Sequence, residues 1–212
     1  MKPEGGASRE TERVRRFYDR FAASYDGWMR VYDTWLLGDR RGSTCRRAKG
    51  RTLELAIGTG LNLSFYPRDV ELVGIDVSAN MLVSAARRAR DLGLEVELRV
   101  GDAQALDLAD GSFDTVVATL VLSTLPDPQR ACAEAWRVLK TGGQFLVLDH
   151  VRSRIAAVRW VQRLLDLPAS RLMHVHLLRD PLDYLGAVGF RIEHCERSKG
   201  GLVEQAVATK EA

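Results

Sequence analysis

The sequence predicts an α/β fold: a doubly wound, seven-stranded, mostly parallel sheet that ends in an antiparallel hairpin. From residue 51 onward, strand-like and helix-like segments alternate, which is typical of a parallel sheet with helices on both faces. The segments LVGID, TVVATLV and FLVLDH are nearly continuous apolar runs, as expected of strands buried on both faces. A Gly-Gly turn joins the last two strand-like segments and favours a hairpin there.

The chain begins with predicted helices, because apolar residues between Val14 and Phe21 recur at three- and four-residue spacing. These N-terminal helices are Arg9–Ala23, Trp28–Leu37 and Arg40–Lys49. The predicted strands are Thr52–Ala56, Glu71–Ile75, Glu95–Val100, Thr115–Thr119, Gln144–Asp149, Arg191–Arg197 and Leu202–Thr209. The helices among them are Leu61–Phe65, Ala79–Leu92, Pro128–Leu139, Ile155–Leu167 and a last helix from Asp180 to Gly189. Pro168 is expected to end the helix that starts at Ile155, because proline lacks an amide hydrogen.

Composition leads us to expect a soluble protein of the cytoplasm. The chain has 212 residues, enough for one domain, and its three cysteines are too far apart in sequence to suggest a disulfide frame or a zinc ribbon. No apolar run approaches the length of a membrane-spanning helix, and the first residues lack the apolar core of a signal peptide.

Charge is unevenly distributed along the chain. Residues 1–51 carry 13 Lys and Arg against 7 Asp and Glu, whereas the whole chain has a net charge of +3. A basic segment of this kind can contact an anionic surface, and it can equally be a solvated helix face. We therefore expect, at most, peripheral membrane contact through the N-terminal helices, with no nucleic acid and no obligate protein partner.

The segment LELAIGTGLNL places glycines directly after a predicted buried strand. Glycines at such a position let the backbone approach a ligand closely, because no Cβ intervenes. A dinucleotide fingerprint needs a third small residue, but that position is Leu63. A phosphate-binding P-loop is excluded because no Gly-Lys-Ser/Thr follows the glycines.

Two acidic residues indicate which ligand the glycines approach. Asp76 ends the second strand, where a carboxylate can accept hydrogen bonds from both hydroxyls of a ribose. Asp102 follows the third strand, where its carboxylate and the next backbone amide can bind an adenine edge. The ends of three successive strands thus offer a glycine turn, a carboxylate that can bind the ribose and a carboxylate that can bind the adenine. This combination favours an adenosine-bearing cofactor without a pyrophosphate, and S-adenosylmethionine fits this description.

Five sequence blocks in order resemble the class I S-adenosylmethionine-dependent methyltransferases. They are LELAIGTG, GIDVSANML, GDAQAL, DGSFDTVVAT and EAWRVLKTGGQFLVLDH, and they cover about Thr52–His150. One departure is Ala56, which stands where the fullest motif has its first glycine. The segments GTGLNLSFYP and TLVLSTLPDPQRACAEAWRVLK are similar to small thiol S-methyltransferases, to bacterial phosphatidylethanolamine N-methyltransferases and, more distantly, to ubiquinone/menaquinone C-methyltransferases.

The resemblance implies S-adenosylmethionine as cofactor and S-adenosylhomocysteine as product. It also implies that residues 51–212 form the cofactor-binding domain, with a helical insertion at about 152–180. The segment YDRFAASYD resembles a lid of this family, so residues 1–50 are interpreted as a helical lid. The implied cofactor-binding residues are Glu54, Ala56, Gly58, Thr59, Gly60, Asn62, Asp76, Val77, Met81, Asp102, Ala103, Thr119, Tyr18 and Tyr25.

His150 is the candidate catalytic base, because it follows the fifth strand at the sheet edge where ligands of open α/β folds bind. The alternative is a histidine that is only structural. His174 and His176 can contact an acceptor, but no third ligand is spaced near them, so no metal site is predicted.

The methyl acceptor is predicted to be a small apolar or amphipathic molecule: a thiol, a phenol or quinone, or a lipid amine. Enzymes that methylate nucleobases resemble one another in an Asn/Asp-Pro-Pro-aromatic motif after the fourth strand, and this chain has the apolar segment TLVLSTLP instead. The acceptor pocket is expected between the N-terminal helices and Ile155–His176. The alternative function is a catalytically inactive S-adenosylmethionine-binding module or regulatory subunit.

Overall fold

The computed structural model describes residues 9–211, and within them seven strands form one sheet in the order β3-β2-β1-β4-β5-β7-β6. The strands are β1 Arg51–Leu55, β2 Glu71–Asp76, β3 Val96–Val100, β4 Phe113–Thr119, β5 Leu139–His150, β6 Arg191–Ser198 and β7 Val203–Thr209. The first five pair in parallel, and β7 lies antiparallel between β5 and β6. The predicted fold class is confirmed.

Helices cover both faces of this sheet. They are α1 Arg9–Tyr32, α2 Arg40–Cys45, α3 Ala79–Asp91, α4 Pro128–Val138, α5 Ala156–Met173 and α6 Pro181–Val188, with a π-helical turn at Asp33–Leu37 and a 3-10 turn at Leu63–Phe65. Within the described part of the chain, no helix has the combined length and apolarity needed to cross a membrane.

The prediction of two separate N-terminal helices was wrong, because α1 runs without a break to Tyr32 and continues into the π-helical turn. The predicted gap contains Gly27, which usually weakens a helix. Next to it, Asp26 accepts a hydrogen bond from Thr59 Oγ1 (2.6 Å) and pairs with Arg88 (2.5 Å), so tertiary contacts hold this turn in helical form.

Two further helix predictions were wrong. Pro168 does not end α5 but lies inside it, on the exposed side of the helix. Proline has no N–H, so the helical hydrogen bond from residue 168 to the carbonyl of Leu164 is missing. Leu164 also lies on the exposed side of the helix, where water can bond to that carbonyl instead. The predicted helix Leu61–Phe65 is only a 3-10 turn, because Asn62 and Tyr66 are held by hydrogen bonds to Glu54 and Pro67 follows directly.

The central strands are buried on both faces, as their apolar runs predicted. Phe145 packs with α4 and α6 in one core cluster, whereas its neighbour Leu146 belongs to the cluster on the opposite face. Val116 and Val117 of β4 are divided between the two clusters in the same way. This double burial fixes the register of β1, β2 and β4, so their carboxyl ends meet at one edge of the sheet.

A substitution at Gly74 in β2 can test how tightly this part of the sheet is packed. A Cβ at Gly74 would overlap the side chain of Ile57 and lie 3.1 Å from Cδ2 of Leu98. We expect Gly74→Ala to lower the free energy of unfolding by about 1–3 kcal/mol, the usual cost of overpacking. Chemical denaturation measures this change.

The matched control is Gly186→Ala in α6, where a Cβ meets no atom within 4 Å. This variant should be neutral or more stable by about 0.5–1 kcal/mol, because alanine favours a helix over glycine. Equal stability changes in the two variants would contradict the packing described for Gly74.

Candidate active site

A cleft lies at the carboxyl edge of the sheet, between the ends of β1, β2 and β4 and the inner side of α1. It contains about 580 Å³ of space that is open to solvent, and a smaller cleft adjoins it beside the glycine turn. Of the predicted cofactor-binding residues, the main cleft is lined by Tyr18, Tyr25, Ala56, Gly58, Asp76, Val77, Met81, Ala103 and Thr119. Glu54, Thr59 and Asn62 line the smaller cleft.

Asp76 holds the centre of the cleft in place. Its Oδ2 accepts a hydrogen bond from the amide of Gly58 (2.9 Å), and its Oδ1 accepts one from the amide of Ser78 (2.8 Å). The first bond joins the end of β2 to the glycine turn after β1, and the second joins it to the start of α3. Burial raises the pKa of Asp76 to about 6. The hydrogen bonds from the two amides favour the charged carboxylate and therefore oppose this rise.

The glycine turn uses left-handed backbone conformations. Gly58 has a φ of +58° and Gly60 a φ of +77°, which glycine adopts without steric cost. Ala56 has a φ of +48°, so the departure from the family motif places a methyl group on a backbone that favours glycine, at a cost of about 1–2 kcal/mol. Gly60 itself faces the side chain of Leu63 and lines neither cleft.

Glu54 is buried beneath the turn, and each of its carboxylate oxygens accepts one hydrogen bond. Its Oε1 accepts from Nδ2 of Asn62 (2.6 Å), and its Oε2 accepts from the hydroxyl of Tyr66 (2.9 Å). Nδ2 of Asn62 also donates to Oγ1 of Thr119 (3.0 Å), which ties the turn to the end of β4. Burial raises the pKa of Glu54 to about 7, while its two hydrogen-bond donors oppose the shift.

Arg41 extends this network into the N-terminal segment. Its guanidinium donates to Oδ1 of Asn62 (2.8 Å) and pairs with Asp33 (2.8 Å). Its side chain is only 8% exposed, so the charge is largely desolvated. Arg41 was not among the residues predicted from the sequence, because nothing in the run Arg40-Arg41 distinguishes a buried arginine from a solvated one.

The helix α1 is fastened over the cleft at two points. Oγ of Ser78 donates to Oδ1 of Asp19 (2.7 Å), and Thr59 at the glycine turn donates to Asp26 (2.6 Å). These bonds bring Tyr18 and Tyr25 of α1 to the cleft wall, where burial raises the pKa of both phenols, that of Tyr25 to about 12. Both tyrosines therefore stay neutral at physiological pH.

Asp102 lies beside the cleft but does not line it. Its Oδ1 accepts from the amide and the side-chain Nε2 of Gln104 (2.9 and 2.8 Å), while its neighbours Gly101 and Ala103 form the cleft wall. The far wall is mostly apolar: it contains Val14 together with Leu120, Val121 and Leu125 from the segment after β4, and Thr124 of the same segment is its polar member. From the sequence, only the apolar character of TLVLSTLP was predicted for this wall.

His150 ends β5 and is buried outside both clefts. Its Nδ1 lies 3.5 Å from the hydroxyl of Tyr32 and 3.5 Å from Oδ1 of Asp149. Among residues 9–211, its buried Nε2 has no hydrogen-bond partner. Burial lowers the pKa of His150, although the charge of Asp149 opposes this shift, so the imidazole is neutral at physiological pH.

The other two predicted histidines lie at the end of the insertion. His174 ends α5 and its ring packs against Phe17 of α1, with the ring centroids 5.5 Å apart. The amide of His176 donates to the carbonyl of Ser123 (2.9 Å), and burial lowers the pKa of its imidazole. Within the described residues, no group of three or more His, Cys, Asp or Glu side chains could hold a metal ion.

Comparison with known proteins shows the family. Residues 53–147 match the family model described as a methyltransferase domain. The chain is 39% identical over 141 residues to a phosphatidylethanolamine N-methyltransferase from Cereibacter sphaeroides, covering 62% of this chain and 68% of the relative. It is 31% identical to a thiol S-methyltransferase from Homo sapiens, covering 74% of this chain and 66% of that protein.

Solved structures show the same fold. A methyltransferase from Thermotoga maritima superimposes with a TM-score of 0.73 at 22% identity, covering 93% of this chain and 100% of that one. A phosphoethanolamine N-methyltransferase from Haemonchus contortus, in complex with S-adenosyl-L-methionine, has a TM-score of 0.70 at 17% identity and covers 100% of this chain and 62% of that one. The chain belongs to the class I S-adenosylmethionine-dependent methyltransferases.

Proposed function

We propose that this methyltransferase transfers the methyl group of S-adenosylmethionine to a small apolar or amphipathic acceptor: a thiol, a phenol or quinone, or a lipid amine. The observation that carries the proposal is the mostly apolar far wall of the cleft, where Thr124 is the polar member beside Val14, Leu120, Val121 and Leu125. A flat, polar nucleobase would leave its hydrogen-bonding groups unpaired against such a wall, and unpaired buried polar groups are costly. An apolar or amphipathic acceptor gains free energy there by burial.

The residues around the glycine turn fit the cofactor. Each oxygen of Asp76 accepts one backbone hydrogen bond and retains a further lone pair, so the carboxylate can also accept the two ribose hydroxyls. Met81 and Ala103 offer apolar surface for the adenine, and the left-handed turn at Gly58 leaves room beside the backbone. When bound, the cofactor would supply an electrophilic methyl group on its sulfonium, so that an acceptor atom in line with the carbon–sulfur bond could bond to the methyl carbon as that bond breaks and S-adenosylhomocysteine leaves as the neutral thioether.

The remaining task of the protein is to position the acceptor and exclude water. We assign this task to the lid, residues 1–50, of which the structure describes Arg9 onward. The bonds of α1 to Ser78 and Thr59 support the assignment, because they hold Tyr18 and Tyr25 against the cleft. Orientation of this kind can contribute on the order of 7–11 kcal/mol to lowering a barrier in the best cases.

His150 is proposed as the base for an acceptor that must lose a proton. Its neutral imidazole is the form that accepts a proton, and its Nε2 is free of partners among the described residues. In this role Nδ1 carries the hydrogen and is oriented by two oxygen atoms, Oδ1 of Asp149 and the hydroxyl of Tyr32, each 3.5 Å away. The predicted contact of the N-terminal helices with a membrane, and the predicted cytoplasmic location, stay predictions.

A panel of acceptors tests the proposed substrate class. The enzyme is incubated with methyl-labelled S-adenosylmethionine and a series of alkyl and aryl thiols, phenols, quinols and phosphatidylethanolamine, with adenine and cytidine as polar comparisons. We expect label transfer to at least one amphipathic or apolar acceptor and none to the nucleobases. Transfer to a nucleobase alone would contradict the proposal.

Asp76→Ala tests the cofactor site. The substitution removes two charge-assisted ribose bonds and releases the amides of Gly58 and Ser78, so the affinity for S-adenosylhomocysteine should fall at least about tenfold. The control is Asp107→Ala, an exposed carboxylate away from the cleft, which should bind normally. Calorimetry measures both affinities, and circular dichroism confirms folding. An unchanged affinity in the Asp76 variant would mean that the ribose is held elsewhere.

The raised pKa of Asp76 also predicts how affinity depends on pH. The carboxylate accepts ribose hydroxyls best when charged, so binding should weaken as the pH falls through about 6. In Asp76→Ala this dependence should disappear.

His150→Ala tests the proposed base. Turnover of a protonated acceptor should fall by about 10²-fold, the usual effect of losing a general base, while cofactor affinity changes little. The control is His194→Ala on the exposed strand β6, which should keep full turnover. Full turnover of the His150 variant at neutral pH would make this histidine structural.

A further inference from the structure

The helix α5 is attached to the domain through polar side chains rather than apolar ones. Gln162 is buried: its Oε1 accepts from the amide of Ser153 (2.8 Å), and its Nε2 donates to the carbonyls of Val151 (2.9 Å) and Leu177 (3.0 Å). One turn later, Oδ1 of Asp166 accepts from the amide of Leu177 (2.7 Å). The inner side of α5 is therefore held by hydrogen bonds, which is the reverse of an ordinary amphipathic surface helix.

The opposite side of α5 is apolar and exposed. Trp160, Leu164 and Leu167 follow one another at helical spacing and are 62%, 57% and 56% exposed. Eight of the 14 large hydrophobic residues exposed among residues 9–211 lie in this one segment: Ile155, Trp160, Val161, Leu164, Leu165, Leu167, Leu172 and Met173. A contiguous apolar surface of this kind is typical of an interaction site. Six of these residues share the side of the helix away from Gln162 and Asp166, and we call this side the apolar face of α5: Trp160, Val161, Leu164, Leu165, Leu167 and Leu172.

The same segment is strongly basic. Arginines border or interrupt the apolar face at Arg154, Arg159, Arg163 and Arg171. Between residues 151 and 173 the single acid is Asp166, which is turned inward by its bond to the amide of Leu177. The surface that faces outward thus combines large apolar side chains with arginines that no outward-facing acid of residues 151–173 balances.

We propose that the apolar face of α5 docks on an anionic lipid surface, with the helix lying in the plane of the interface. A helix with one apolar side, arginines and a tryptophan is the arrangement that buries its apolar side between lipid headgroups while the positive charges attract anionic lipid. A second copy of this chain fits less well, because a two-fold contact would place the same arginines against each other.

The helix α5 lies close to the lid helix, so docking through α5 would also place the cleft near the lipid surface. His174 at the end of α5 packs on Phe17 of α1, and the next residue of α1, Tyr18, lines the cleft. Docking through α5 therefore brings the lid helix close to the interface, from which an amphipathic acceptor can enter. At the start of α1, Arg15 and Arg16 are already paired with Glu12 and so offer less free charge to an anionic surface than the arginines of α5.

Vesicle co-sedimentation of the full chain tests the proposal. The probes are phosphatidylcholine vesicles with and without phosphatidylglycerol. We expect binding that requires the anionic lipid and weakens as sodium chloride is raised, because salt screens the arginines. Leu164→Asp should lower vesicle affinity at least about tenfold, since it puts a charge into the apolar face. Arg163→Glu should lower it about fivefold or more, the usual effect of losing one basic residue near an anionic surface.

Matched controls lie on α3. Val83→Asp is the control for Leu164→Asp, because it introduces the same charge at an aliphatic residue that is 69% exposed. Arg87→Glu is the control for Arg163→Glu, because it reverses the charge of an exposed arginine. Both should bind vesicles like the unaltered chain. All four variants should keep their affinity for S-adenosylhomocysteine, so a loss of docking is distinguished from a failure of the cofactor site.

Three outcomes would overturn the proposal. The first is no binding to vesicles containing phosphatidylglycerol, and the second is equal losses in the α3 controls. The third is a dimer in analytical ultracentrifugation that Leu164→Asp dissociates while vesicles remain unbound, which would assign the apolar face to a second copy.

Discussion

The two backbone amides bound by the carboxylate of Asp76 organise the whole cofactor edge. Gly58 belongs to the turn after β1 and Ser78 to the start of α3, so one side chain fixes the turn, the end of β2 and the helix together. Ser78 then caps α3 by accepting from the amide of Met81 (3.1 Å) and also donates to Asp19 of α1. The helix α1 is thus anchored through the same few residues that shape the cleft.

Much of the fold could be predicted from local patterns. The central strands β2, β4 and β5 leave nearly continuous apolar runs because they are buried on both faces, and the Gly-Gly turn placed β6 and β7. By contrast, β3 and β6 are largely exposed and have no such run. The predicted bounds of a strand differ most at the start of β5. Two of the three helix errors have a common cause, because Gly27 and Pro168 disfavour helix only in isolation. A tertiary tether at Asp26 and solvent access on the outer side of α5 outweigh those local preferences.

The candidate site was predictable where chemistry is tied to a strand end, as for Asp76, Gly58 and Thr119. The site could not be predicted where a residue from a distant part of the chain reaches it only through the tertiary fold. Arg41 supports the glycine turn from the N-terminal segment through Asn62, and no spacing in the sequence reveals that contact. The inverted polarity of α5 was missed for the same reason, since periodicity shows that a helix has two sides but not which of them faces the domain.

The central claim is that this edge of the sheet holds an adenosyl cofactor without a pyrophosphate. The most direct test is calorimetric titration of the purified protein with S-adenosylhomocysteine and, separately, with NAD. We expect one-site binding of the adenosyl ligand in the micromolar range and no comparable heat with NAD, because Leu63 occupies the position where a dinucleotide fold needs a small residue. Comparable affinity for NAD, or no binding of S-adenosylhomocysteine, would contradict the account.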